Sequence, residues 1–372
     1  MSSGLRDLRA PLIALSHALH RHPETAWREH ASSTRLAHFL ADRGLRVEHP
    51  AHGLPTAFRA TAGDTGPLVV LCCEYDALPG LGHACGHNVV AAAAAGAGAL
   101  LAPLARRRGG RVVVLGTPAE EGGGGKVELL RRGAFAGAAA ALLAHPGRED
   151  RARAVFRAAA AYRVVFRGRA AHAAMAAASG RNALDAAVLA YEALGAARSR
   201  LAHGDLLTAV LPRGGVAPNV VPDLAELRVM TRSATTAGLD PLASAVDRAA
   251  RAGAVATGCS VTVTPEGPRY RELRTDPALA TYAARHLRAL GRRPRAPGPD
   301  DLTVAGSTDL GNVSHVVPTA HPKLSIGDVS PHSRAFARAA VSPAGDRGAL
   351  DGARLLARVA LDVWAPSRGG HL

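Results

Sequence analysis

Leu68–Cys73 is an unbroken apolar run, and directly behind it the chain packs Glu74, Asp76, His83, Cys85 and His87 into a glycine-bearing loop. An apolar run of that length, with no polar alternation, reads as a strand buried on both faces. The loop after such a strand is where open α/β sheets gather their functional groups. The pattern then recurs twice. Residues 112–115 form a second apolar run, followed by Glu120, Glu121 and the glycines Gly122, Gly123, Gly124 and Gly125; residues 138–143 form a third, followed by His145. Strands that each end in metal-capable side chains constrain the chain to an α/β fold with a site along one sheet edge.

The segments between these runs support that reading. Residues 29–42 are patterned as an amphipathic helix stopped by Gly44, and Arg46–Glu48 and residues 56–61 as short strands. Residues 88–104 read as a helix of small residues. Alternating helices and strands predict a mostly parallel sheet flanked by helices. After the charged stretch 148–153 the rhythm changes. Strands over 162–167, 206–211, 224–231 and 260–264, with helices over 182–201 and 239–252, give the order βαββαβ, a ferredoxin-like unit. Helix and strand signals alternate again from Leu273, ending in a helix over 339–364. The expected organisation is a catalytic domain of residues 1–158 and 271–372, interrupted by an inserted α+β domain of residues 159–270.

At 372 residues the chain is long enough for two domains. Its formal charge of +15 raises a nucleic-acid reading, which its composition opposes. Only Lys126 and Lys323 are lysines, the arginines are scattered, and aromatic residues for base stacking make up 3%. Three of the four cysteines fall within residues 72–85, unlike a disulfide framework. The opening residues lack a charged-then-apolar leader, and the apolar run 89–104 is mostly Ala and Gly and too short to span a bilayer. A cytoplasmic protein with no membrane or nucleic-acid partner is expected.

Cys85 and His87, with only Gly86 between them, can address one ion, and thiolate and imidazole suit zinc- or manganese-class cations. Glu120 and Glu121 suit two roles, one binding metal and one deprotonating water. His145 ends a strand and taken alone reads as a turn residue; His332 precedes a helical segment and alone is unremarkable. Together they supply one cysteine, one glutamate and three histidines for two ions. Ser307, Thr308 and Asp309 follow Gly306 as either a helix cap or a substrate contact. Arg232 is the best anion-binding candidate, because its guanidinium matches a carboxylate.

The segments His20 to Glu24, Glu74 to Pro79, Gly82 to Asn88, Thr117 to Gly125, His145-Pro146, Ala170 to Ala173, Gly306 to Asp309 and Pro331-His332 resemble, in order, the metal-dependent aminoacylase, amidohydrolase and carboxypeptidase family. They are most similar to the branch of indole-acetyl-amino-acid hydrolases, p-aminobenzoyl-glutamate hydrolase and related dipeptidases. The resemblance implies a zinc-exopeptidase-like fold whose inserted domain acts as a lid and joins a homodimer. It implies two divalent ions, zinc or manganese, held by Cys85, His87, Glu121, His145 and His332, with Glu120 as general base. Asp76 would orient a ligand, His172 would stabilise the oxyanion, in many relatives across the dimer, and Asn219 with Arg232 would hold the substrate carboxylate. Two departures narrow it. Glu74 stands where many members have a histidine ligand, which His87 replaces, and Asn88 stands where many of this branch have Asp. The second favours the p-aminobenzoyl-glutamate-hydrolase-like and dipeptidase subgroup. The expected activity is cleavage of an N-acyl amino acid or dipeptide-like amide; a catalytically silent binder of metal or an amino-acid conjugate is the other class, which need not keep Glu120.

Overall fold

The computed structural model describes residues 2–302 and 305–365. They form two compact units, one of Met1–Val155, Arg274–Pro299 and Asn312–Leu372, the other of Phe156–Leu273 and Asp300–Gly311. Residues 303–304 and 366–372, which the expected catalytic segment 271–372 includes, lie outside the described residues. The second unit begins before residue 159 and ends after 270 because its entering and leaving chains are paired. Leu273 N donates to Phe156 O at 3.2 Å, and Ala159 bridges Tyr270. Asp300–Gly311 joins this unit, contrary to the expected division. Arg157 explains why: its backbone N donates to Gly306 O at 2.8 Å and its Nε to Ala305 O at 3.0 Å.

In the first unit the chain runs α1 (Ser2–Arg21), α2 (His30–Ala41), β1 (Arg46–Glu48), β2 (Arg59–Ala62), β3 (Leu68–Cys73), α3 (His87–Arg108), β4 (Arg111–Gly116), α4 (Gly125–Arg131), β5 (Ala138–Leu142) and β6 (His145–Gly147). The sheet order is β1-β2-β4-β3-β5, completed by β11 (Thr319–Ala320). The β4, β3, β5 and β11 strands are mutually parallel, while β1 and β2 are antiparallel additions at one edge. Every residue of β3 is buried, as its unbroken apolar run requires. The α1 helix has no counterpart in the sequence reading. Its core residues Leu12, Leu15 and Leu19 repeat at helical spacing, but Pro11 interrupts the pattern.

The second unit contains β7 (Ala158–Arg167), α5 (Ala183–Arg198), β8 (Leu206–Arg213), β9 (Leu224–Ser233), α6 (Leu239–Thr257) and β10 (Ser260–Pro265). Its antiparallel sheet has the order β10-β7-β9-β8, the ferredoxin-like arrangement expected from βαββαβ. Alternate residues of β7, among them Val164 and Phe166, pack with Ala186, Ala190 and Leu194 of α5 in a separate core.

The first unit resumes with α7 (Pro277–Ala289), and after α8 (Leu310–Ser314) and β11 come β12 (Lys323–Ser325), α9 (Arg334–Ala339) and α10 (Pro343–Trp364). The single helix expected over 339–364 is thus broken. Ser342 is extended and its side chain accepts from Ala344 N and Gly345 N, while Pro343 takes the first helical position, where its missing N–H costs nothing.

The α3 helix is long and apolar enough to cross a membrane, but it lies in the core of the first unit, so it reads as a core helix. Its small residues let neighbouring helices approach closely. A Cβ on Gly96 would sit 2.7 Å from Leu12 Cδ1 and 2.9 Å from Ala353 Cβ, and one on Gly352 of α10 would sit 2.8 Å from Ala93 Cβ. Gly352→Leu should therefore overpack the α3–α10 contact, costing about 3 kcal/mol. Calorimetry should show a Tm several degrees lower; an unchanged Tm would mean that the contact is not tight.

Candidate metal centre

Three parallel strands, β4, β3 and β5, lie side by side and so end along the same sheet edge. The loop after β3 carries Glu74 and Asp76, the loop after β4 carries Glu120 and Glu121, and the chain after β5 reaches His145. Thr117 ties the first two together, donating its N and its Oγ1 to Cys73 O at 2.8 and 3.0 Å. His87 is the first residue of α3. Gly86, before it, has φ 82°, a conformation that favours glycine, and a Cβ there would meet Pro146 Cγ at 2.6 Å. The one-residue gap between Cys85 and His87 is thus sterically reserved for glycine.

The buried His87 ring places Nδ1 2.9 Å from Asp76 O and 3.0 Å from Asp76 Oδ1. The backbone oxygen only accepts, so Nδ1 carries a proton and Nε2 faces into the cluster. His145 is oriented in the same way, with Nδ1 2.7 Å from Pro146 O and Nε2 3.7 Å from Cys85 Sγ. His332 has φ 60°, is held by its N donating to Ala84 O at 2.9 Å, and places Nε2 3.5 Å from Glu121 Oε1. Glu120 Oε2 lies 3.9 Å from His87 Nε2. Ligand atoms of Cys85, His87 and His145 converge, as do those of Cys85, Glu121 and His332 and those of His87, Glu120 and Glu121.

The donor set fits cations. His87 Nε2 and Glu121 Oε1 are buried without a hydrogen-bond partner, a costly arrangement that a cation would relieve. Burial, then the charge of His87, lowers the His145 pKa to about 4, which leaves its imidazole neutral. Burial pushes the Glu121 carboxyl up, but His332 and His87 outweigh it and bring the pKa down to about 2, so Glu121 is ionised. Burial pushes the Cys85 thiol up, as does the Glu121 carboxylate. Burial lowers His87, but Asp76 and Cys85 raise it more. Both of those shifts are upward and favour the protonated thiol and imidazole, whereas a bound divalent charge would favour thiolate with neutral imidazole.

Asp76 joins the two halves of the cluster. While its Oδ1 orients His87, its Oδ2 accepts from Glu121 N at 2.9 Å. All five expected ligands, Glu120 and Asp76 therefore come together in the first unit.

The other six candidates lie in the second unit, and four of them form two pairs. Ala173 N donates to Asn219 O at 3.0 Å, linking the His172 loop to Asn219; His172 Nδ1 accepts from Ala174 N and Met175 N at 3.3 and 3.2 Å. Arg232 donates Nη1 to Ser307 Oγ at 2.7 Å. Thr308 Oγ1 accepts from Leu310 N at 3.3 Å, so Thr308 caps α8, and Asp309 is buried.

Sequence reasoning missed three features of the first unit. The fully buried Lys126 places Nζ 2.6 Å from Glu74 Oε1, a pairing hinted at by the rarity of lysine in the chain. His321 stacks on His145 with centroids 5.6 Å apart. Glu29, read as the start of a helix, is buried and accepts from Ala119 N at 2.8 Å, and burial raises its pKa to about 7.

A model of the family described as Peptidase family M20/M25/M40 matches residues 71–358. The chain is 39% identical to a Xaa-Arg dipeptidase of Mus musculus over 370 residues, spanning 95% of this chain and 85% of that protein. An aminobenzoyl-glutamate utilization protein from Klebsiella pneumoniae has a similar fold, with TM-score 0.77 and 20% identity, covering 97% of this chain and 98% of that one. So has a dinuclear metal-binding peptidase of the M20 family from Bacillus subtilis, with TM-score 0.68 and 19% identity, covering 95% and 99%. The span of the family match and the identity carried along almost the whole chain agree with the strand-end cluster, and the protein belongs to Peptidase family M20/M25/M40 as a metal-dependent hydrolase of amide bonds.

Proposed function

We propose that the protein is a dinuclear dipeptidase that cleaves the amide of a dipeptide or N-acyl amino acid, with Glu120 as general base. The observation that carries this is the convergence of Cys85, His87, Glu121, His145 and His332, with Glu120 Oε2 3.9 Å from His87 Nε2. These five side chains would hold two zinc or manganese ions. When bound, such ions polarise the scissile carbonyl and lower the pKa of water. Glu120 takes the proton of the attacking water as its oxygen adds to the carbonyl carbon, then delivers it to the amine as the C–N bond breaks. His172 donates to the oxyanion, and Arg232, with Asn219, holds the substrate carboxylate. An intact Glu120–Glu121 pair disfavours a silent binder.

The dipeptidase relative is named for Arg in the second position, so dipeptides ending in a basic residue are the first substrates to test. A cytoplasmic homodimer joined through the second unit completes the reading. Support for the dimer is the edge strand β8, which exposes Leu206, Val210 and Leu211, and helix α5, which exposes Val188, Leu189 and Tyr191.

The test is a mass-spectrometric hydrolysis screen of dipeptides and N-acyl amino acids, with Zn²⁺ or Mn²⁺ and with a chelated control. Metal-dependent release of a C-terminal basic residue is expected. Stoichiometric metal with no cleavage of any amide would overturn the proposal. Arg232→Ala should raise KM by about tenfold or more while leaving kcat nearly unchanged, because a charged hydrogen bond contributes about 1.5–3 kcal/mol. An unchanged KM would remove Arg232 from the substrate site.

A further inference from the structure

Two non-glycine residues of the first unit adopt left-handed backbone conformations and share one hydrogen-bond acceptor. Trp27 has φ 66° and Ala119 has φ 57°. Their backbone N–H groups both donate to Glu29 Oε1, at 3.0 and 2.8 Å. Such conformations are unfavourable for residues with a Cβ, most of all a bulky one, and persist where surrounding contacts impose them. Ala119 immediately precedes Glu120 and Glu121.

Glu29 also departs from what its own position asks of it. It stands at the N-cap of α2, where an acidic side chain ordinarily accepts from the helix's first N–H groups, yet its side chain makes no such bond. Glu24 supplies that function instead, taking Ala31 N at 3.0 Å and Ser32 N at 2.7 Å. The Glu29 carboxylate is thereby released to reach a loop 90 residues away. The same short segment is stitched to the other catalytic loop, because Ala77 N, next to Asp76, donates to Glu24 O at 2.8 Å. A buried carboxylate diverted from its helix to a strained peptide beside the reacting groups has a stability cost that local structure does not explain.

We infer that Glu29 is a positioning residue for Glu120. Its oxygen holds Ala119 in the left-handed conformation and so fixes the backbone from which Glu120 projects towards the substrate. This rests on the reading of Glu120 as the base. The cation ligands other than Glu121 lie on other segments, so loss of the tether should displace the base more than it empties the centre.

The test compares Glu29→Ala, Glu29→Gln and Glu120→Ala in the full chain, each loaded with Zn²⁺ or Mn²⁺ and assayed on the dipeptide found by the hydrolysis screen. Glu29→Ala should lower kcat by about 30- to 100-fold, the scale of a small misplacement of a catalytic group, with KM within about threefold. Its metal content, measured by plasma mass spectrometry, should match that of the parent. Glu29→Gln should return kcat to within about threefold, because an amide oxygen can accept from both N–H groups. If Glu29→Ala does not fold, the double variant Glu29→Ala with Ala119→Gly carries the test. Glycine takes the positive φ without steric cost but leaves the loop untethered, so its kcat should still fall at least about tenfold. Near-parental kcat in Glu29→Ala or in the double variant would overturn the positioning role, as would equal loss of kcat and metal in Glu29→Ala and Glu29→Gln. The Glu120→Ala arm separates the two readings. Inactive Glu120→Ala beside unaffected Glu29→Ala removes only the tether, whereas active Glu120→Ala removes the base and the tether with it.

Discussion

Glu120→Gln should lower kcat by about 10²–10⁴-fold while leaving the protein folded and loaded with metal. The glutamine keeps the size of the side chain and its capacity for hydrogen bonding but cannot take a proton. None of the five proposed ligand side chains is altered, and the buried partners that orient two of them, Asp76 for His87 and the Pro146 carbonyl for His145, stay in place. Loss of turnover should therefore separate cleanly from loss of metal. Steady-state kinetics on the substrate found by screening, paired with metal analysis of the same preparation, reads both. A variant with kcat within about tenfold of the parent would place the base elsewhere; one that also loses its metal would make Glu120 a ligand instead.

The separation is expected because two adjacent carboxylates face different surroundings. Glu121 lies beside His332 and His87 and is held ionised. Glu120 places Oε2 3.9 Å from His87 Nε2 and directly follows the strained Ala119. Sequence alone proposed the division of roles from adjacency; the geometry gives each carboxylate its own neighbours.

What the sequence made legible follows from local rules. Residues 68–73 form a buried strand because nothing in them is polar, and β7, β8, β9 and β10 were readable from apolar patterning and intervening helices. The candidate ligands Cys85, His87, Glu121 and His145 were legible because they follow strands whose parallel neighbours bring their ends together, whereas His332, ahead of a helical segment, was placed by the family resemblance. Features set by distant partners were not legible. The Glu29–Ala119 bond joins residues 90 apart, and nothing near Glu29 in sequence announces it. The grouping of Asp300–Gly311 with the second unit depends on Arg157, nearly 150 residues earlier. The break before α10 was local, and Ser342-Pro343 marks it, but the apolar periodicity on either side concealed it.

Asp76 offers the other large effect, on metal affinity rather than on proton transfer. One of its oxygens faces His87 Nδ1 at 3.0 Å and the other accepts from Glu121 N at 2.9 Å, so a single carboxylate aligns a ligand on α3 with the loop carrying another. Removing the partner of a metal-binding histidine typically costs about 10–100-fold in affinity. Asp76→Ala loses both contacts and should fall at the upper end, about 100-fold, in competition titrations with Zn²⁺ against a chromophoric chelator. Asp76→Asn is the sharper test. The His87 proton and the Glu121 N–H are both donors, and an asparagine has only one oxygen to set against them. Whichever way its amide turns, the NH₂ opposes a donor in a buried site. Asp76→Asn should thus weaken metal binding by at least about tenfold despite its matching shape, whereas Asp328→Asn, at an exposed salt bridge with Arg148, should not change it. Affinity within about threefold of the parent in Asp76→Asn would show that the carboxylate charge and its second oxygen do not orient the centre, and would leave the Asp76 backbone carbonyl, 2.9 Å from His87 Nδ1, as the group that does.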